Sequence, residues 1–208
     1  MGRRREFDVE QALDAVLNVF WRKGFEGTSY ADLVEAAGVE RPALYAAFGN
    51  KEALFRKALA RYDAQYLGHV PEALEMPTAL AVASHFLHGA VDLNTRFPDR
   101  TGCLGINGVL AGADDAEPLR QMLIEFRAAG QERLRERLER AKIEGDLPDT
   151  ASSEALAAFV FTVSQGIAVQ AKAGTSREML HMVADQALAS WPTTTTSKRK
   201  SGALRTAD

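Results

Sequence analysis

The chain has 208 residues, a formal net charge of −3 and one cysteine. That length allows one domain or two small ones, large enough to fold around an apolar core without covalent staples. The balanced charge excludes a polybasic protein that coats nucleic acid, and one cysteine excludes an intramolecular disulfide framework.

In residues 7–23, Leu13, Val16, Leu17, Phe20 and Trp21 recur at helical spacing until Gly24 ends the run. Phe25 and Gly27 form a link to the most informative stretch, residues 28–51. There Ser29 is an N-cap with Asp32 three residues on as its capping-box partner. Leu33, Val34, Ala36 and Ala37 give the helix an apolar side, and Gly38 ends it because glycine accepts the left-handed conformation cheaply. Pro42 is tolerated only in a first turn, so a second helix starts within three residues, with Leu44, Tyr45 and Phe48 facing inward. This is a helix-turn-helix over about residues 29–48, the arrangement that presents a helix to the DNA major groove.

Asn50 caps a fourth helix over residues 50–67, with Leu54, Phe55, Ala58, Leu59 and Tyr62 inward. Gly68, Pro71 and Pro77 mark a looser connection before a fifth helix at 78–96 and a short sixth at about 102–112. Residues 117–144 form a long amphipathic helix whose alternating charges, Glu132 to Arg140, read as a solvated face with a Glu136–Arg140 pair. The last two helices, about 152–173 and 176–191, are apolar nearly all round, which requires burial on every side and implies a second copy of the chain. Thr175 and Glu178 read as a capping box for the final helix. The pattern is all-α, with about nine helices and no alternating strand pattern. No apolar run approaches the roughly 18 residues of a membrane span, and the arginines at 3–5 lead into an acidic stretch, unlike a secretion signal. Residues 193–208 lack an apolar period and read as a disordered tail whose basic cluster is solvated.

The runs A-L-D-A-V-L-N-V-F-W-R-K-G-F-E-G-T-S, A-A-G-V and A-L-Y-A-A-F-G-N-K-E-A-L-F resemble the N-terminal domain of the TetR/AcrR family of bacterial transcriptional regulators over roughly sixty residues. The resemblance implies a DNA-binding domain at 6–66 and a ligand-binding and dimerisation domain at 67–192. It further implies a homodimer built through the last two helices, and a repressor that leaves a double-stranded palindromic operator when a small-molecule inducer binds; the single cysteine suits a reducing cytoplasm. No cofactor and no membrane partner are expected.

Residues 1–66 carry ten Lys/Arg and ten Asp/Glu, so DNA affinity has to come from where the charges sit. Thr28 and Ser29, at a helix N-terminus, suit a phosphate; Tyr45 can offer its hydroxyl, and Lys51 its ammonium, to others. Such contacts set register, whereas base readout falls to the first turn of the second helix: Glu40, Arg41, Pro42, Ala43 and Ala46. Arg41 can grip the O6/N7 edge of guanine or a rim phosphate. Glu40 stands where the family commonly has Ser or Thr, and Ala46 or Ala47 where it has Tyr or His, so operator sequence does not transfer.

An inducer pocket is expected among His85, Phe86, His88, Cys103, Met122, Phe126, Phe159, Thr162 and Gln165, each of which core packing also explains. The four histidines are scattered, no Ser or Cys constellation suggests catalysis, and no third ligand completes a metal site at His85 and His88. The glycines at 102–112 match no nucleotide loop. Two alternatives stand beside the inducible repressor. One is a helical ligand-binding protein with vestigial DNA affinity. The other is an oxidant-, electrophile- or metal-responsive regulator acting through Cys103. The G-C-L-x-x-N motif resembles a family subgroup with a sensing cysteine, and Cys103 is expected in the first turn of the sixth helix, where the dipole favours a thiolate. Lys172, alone among Lys and Arg between Ser152 and Ser176, is the second expected influence on that thiol.

Overall fold

The computed structural model describes residues 8–109 and 117–194. The arginine arm at 3–5 and nearly all of the 193–208 tail lie outside the described residues. Ten helices follow in order: α1 (Val9–Lys23), α2 (Tyr30–Ala37), α3 (Arg41–Phe48), α4 (Lys51–Tyr66), α5 (His69–Leu74), α6 (Ala79–Thr95), α7 (Leu104–Val109), α8 (Glu117–Ile143), α9 (Ser153–Lys172) and α10 (Arg177–Leu188). Among the described residues there is no strand. The helix beyond the expected nine is α5. Its Pro71 is the third helical residue, where no intrahelical bond requires its missing N–H.

Two apolar cores organise these helices. The first gathers Val16, Leu17, Phe20 and Trp21 of α1, Leu33 of α2, Leu44 and Phe48 of α3, and Leu54, Phe55 and Tyr62 of α4. It also takes in Leu93, Leu104, Leu119 and Leu123, so later helices close the first core. The second joins Val82, Phe86 and Leu87 of α6 to Leu134 and Leu138 of α8, Val160 and Ile167 of α9, and Leu180 of α10. α6 and α9 are the central pair of this second layer, each packing against the other and against α8 and α10.

Trp21 stands at the junction of the layers. Its ring meets Tyr62 and Tyr66 edge-on at 4.8 and 5.0 Å, and its Nε1 donates to the carbonyl of Gly102 at 2.6 Å. Gly102 has φ of 83°, a conformation that glycine adopts without a Cβ penalty. Arg100 stacks over Phe97 at 4.2 Å and Trp21 at 5.7 Å, closing the loop between α6 and α7 onto α1. Trp21→Phe should therefore lower stability by about 1–3 kcal/mol, because it leaves a buried carbonyl unpaired. Thermal unfolding monitored by circular dichroism measures this.

Several local expectations need correction. Arg137 is buried, not solvated: its Nε donates to Leu74 O at 3.0 Å and its Nη2 to Met76 O at 2.6 Å. The charge pattern of α8 hides this because the two carbonyls belong to the end of α5 and the turn after it, far away in sequence. Arg140 pairs with Glu144 at 3.7 Å instead of Glu136. The cap of α10 is Ser176, which accepts from Met179 N, while Thr175 donates to Gln170 Oε1 at 3.0 Å. Against the expectation of no span-like run, α9 is long and apolar enough to cross a membrane by length and composition, with a mean hydropathy of 1.3. Its polar residues are mostly small or uncharged, so they interrupt the pattern without lowering the average much.

Candidate DNA-binding interface and effector cavity

The α2–α3 unit is built from its caps outward. Ser29 accepts from Asp32 N at 3.1 Å while Asp32 accepts from Ser29 N at 2.9 Å, completing a capping box. Lys23 of α1 donates to the same carboxylate at 2.7 Å. The Lys23 bond, followed by those from Ser29, holds the Asp32 carboxyl down at about 2, against an ordinary value of 3.8. A depressed carboxyl pKa contributes stability that is complete above the unfolded value and lost as pH falls from there toward 2. An NMR titration should place the Asp32 midpoint near 2, and Lys23→Met should move it toward 3.8.

Thr28 and Ser29 part company. Thr28 is 1% exposed and donates to Gly24 O at 2.6 Å, so its hydroxyl is spent inside the link; Ser29 is exposed. Gly38 turns the chain at φ 66°, and Glu40, exposed, precedes α3 without a side-chain cap bond. Arg41, exposed, lies over the Tyr30 and Tyr45 rings at 4.6 and 5.3 Å, and its Nη2 donates to the Tyr45 hydroxyl at 3.2 Å. The two rings are 5.4 Å apart. Pro42 and Ala46 are exposed, whereas Ala43 and Tyr45 are half-buried. Lys51 opens α4 with its ammonium 4.4 Å from the centre of Phe25, and burial lowers its pKa. Tyr30 was missed in the sequence. The available signal was an aromatic residue directly after the capping serine.

A cavity of about 330 Å³ lies between α4, α5, α6, α7, α8 and α9. Phe86, Cys103, Phe126 and Gln165 line it, with Leu123, Arg127, Phe161 and Ser164 among the residues not foreseen. The other five expected pocket residues lie elsewhere. His85 and His88 face a neighbouring polar cleft that includes His69, Glu72, Asp92 and Arg177. Met122 packs against the first core and takes a bond from Arg56 at its sulfur; Phe159 and Thr162 are exposed on α9, Thr162 bonding back to Ala158 O.

Beside the cleft, the Nδ1 atoms of His88 and His181 face each other at 2.8 Å, while their Nε2 atoms lie 3.3 and 3.2 Å from Asp185 and Asp92. These pairs tie α10 to α6. Burial holds the His69 pKa below its ordinary 6.5.

Cys103 precedes α7 instead of standing in its first turn, because α7 begins at Leu104. Lys172 does not approach it: Nζ donates to Arg22 O at 3.0 Å, anchoring the end of α9 to the last turn of α1. The groups beside the thiol are Tyr62 and Arg127. Burial, then the neighbouring Cys103, push the Tyr62 phenol well up. Burial lowers the Arg127 pKa, opposed by Cys103.

A capped α2 turned onto an α3 with an exposed first turn, carried on a helical body with a partly open cavity, defines a DNA-binding transcriptional regulator of the helix-turn-helix class. The family model "Bacterial regulatory proteins, tetR family" matches residues 12–58, and "Tetracyclin repressor-like, C-terminal domain" matches residues 79–187. The HTH-type transcriptional repressor ComR of Escherichia coli is 34% identical over 194 residues, 92% of each chain, and the repressor BdcR of the same organism 29% over 180 residues, 86% of each. Among solved structures, a cysteine-substituted variant of the TetR family regulator CifR, complexed with 26-bp double-strand operator DNA, is 40% identical. It superposes with a TM-score of 0.86 over 91% of this chain and all of that one. The chain belongs to the TetR family. Its relatives are transcriptional regulators.

Proposed function

We propose that the protein is a cytoplasmic, homodimeric repressor that grips a palindromic operator and releases it when a small molecule enters the cavity, acting by binding and not by catalysis. Residues 6–66 engage DNA and residues 67–192 hold the ligand and the partner copy. Ser29, Tyr45 and Lys51 take phosphates, with Thr28 buttressing the link beneath them. Arg41 reads bases from a cradle of Tyr30 and Tyr45, flanked by Glu40, Pro42 and Ala43. The dimer forms through α9 and α10, whose Phe159, Val169, Met179, Met182 and Val183 are 40–62% exposed on a single chain.

The observation that carries the ligand response is the junction between the layers. Trp21 of α1 bonds Gly102, Tyr62 of α4 faces Cys103, and Lys172 of α9 bonds Arg22 of α1. Cys103 also lines the cavity. A ligand that displaces the α6–α7 loop therefore moves α1 and α4, on which α2 and α3 ride. The coupling must be reciprocal, so operator DNA weakens ligand binding by the same factor. The test is binding to the DNA upstream of the protein's own gene, measured across salt concentrations. Tight binding should survive salt that removes non-specific complexes; affinity that falls to the non-specific level would contradict the repressor reading.

A further inference from the structure

We propose that the cavity selects an organic acid, with its apolar body against Phe86, Leu123, Phe126 and Phe161 and its carboxylate on Arg127. This deepens the reading of the cavity as the inducer site and rests on it.

The inference starts from the charge pairing along α8. Arg120 pairs with Glu117, Arg135 with Glu132, Arg140 with Glu144 and Lys142 with Glu139, while the buried Arg137, outside the cavity wall, gives Nε and Nη2 to two carbonyls and leaves Nη1 without a partner. Arg127 and Arg133 have no ion pair among the described residues, and both line the cavity. Arg133 is exposed and stays hydrated. Arg127 is half-buried, and a guanidinium withdrawn from water without an anion is unfavourable. Its lowered pKa has that cause, and the opposing influence is a thiol, not a carboxylate. An arriving anion removes the deficit.

The remaining charges of the cavity agree. Among the described residues, Asp63 on α4 is the one carboxylate in its wall and is exposed, while burial lowers the pKa of His69 on α5 and so disfavours its charged form. Among those residues, two guanidinium groups against one carboxylate leave the lining positive. The planar fork of Arg127 matches a carboxylate with two parallel bonds. A singly charged carboxylate balances one half-buried cation better than a dianionic phosphate does. Ser164 and Gln165 offer hydrogen bonds to any further polar group. At about 330 Å³ the space is near the lower end of ligand cavities, suited to a medium-chain or aryl-substituted acid and too small for a nucleotide with its own shell of contacts.

The experiment is calorimetric titration of the full chain with octanoate and 4-phenylbutyrate, their primary amides, and inorganic phosphate. The acids should bind about tenfold to a hundredfold tighter than the amides. Arg127→Gln should erase that difference and leave amide affinity unchanged, Arg127→Lys should keep part of it, and Arg133→Gln should change little. Unfolding curves for each variant verify the fold. Equal binding of acids and amides, no acid binding, preference for phosphate, or an acid preference that survives Arg127→Gln would each overturn the proposal. Operator affinity is measured separately. Acids that bind without releasing DNA leave the proposal standing and remove the inducer reading; amides that bind equally and release DNA do the reverse.

Discussion

Val183→Asp is expected to turn the dimer into a folded monomer and to weaken operator binding by two orders of magnitude or more. Val183 and Met182 lie on the side of α10 that faces away from the body, and the exposed Phe159 and Val169 of α9 extend the same apolar character. A two-fold axis brings the substituted position into the interface twice, so two carboxylates lose water without partners, at about 3–5 kcal/mol for each uncompensated charge. The monomer still folds because α10 is held by its other side. Leu180 and Ala184 are buried against the second core, Arg177 pairs with Asp92, and the His88–His181 contact lies there too. Loss of the dimer makes the two half-site contacts independent, and the effective concentration that multiplied them disappears. Light scattering with a gel-shift titration measures both effects. A dimer that persists at micromolar concentration would place the interface elsewhere.

Arg41→Ala should lose sequence preference while its circular dichroism stays unchanged. The side chain is exposed at the first position of α3, and its contacts are with the Tyr30 and Tyr45 rings; Leu44 and Phe48, which anchor the helix, are untouched. A bidentate guanine contact discriminates by about 1–3 kcal/mol, and a dimer uses it twice, so operator affinity should fall about thirtyfold or more. Non-specific affinity should fall only slightly, since Ser29, Tyr45 and Lys51 remain. Arg41→Lys should retain non-specific binding and recover little specificity, because an ammonium lacks the fork. Unchanged preference in Arg41→Ala would assign readout to other residues.

The helix-turn-helix was legible because its determinants are local. The Ser29–Asp32 box, the Gly38 turn and Pro42 in a first turn all act within four residues, and the structure has each of them. What failed to show in the sequence depends on which element passes which. Cys103 and Lys172 were linked by their chemical types, but the end of α9 meets α1, and the cation beside the thiol comes from α8. Thr28 and Ser29 are adjacent hydroxyls with opposite fates, because only the chain's path toward Gly24 decides which one turns inward. Arg137 reads as one more charge in a solvated run, and the carbonyls that bury it lie more than sixty residues away. The cavity follows the same rule. Helical spacing put Phe86 and His88 on one helix, and the packing of α5 and α10 sent one to the cavity and the other to the neighbouring cleft.

The most direct test of a two-fold reader is selection of bound duplexes from a random library with the full chain at moderate salt. The enriched sequences should contain an inverted repeat whose half-site centres lie about one DNA turn apart, or a multiple of it. They should bind an even number of chains. A single unrepeated motif bound by one chain, or no enrichment over the starting library, would contradict it.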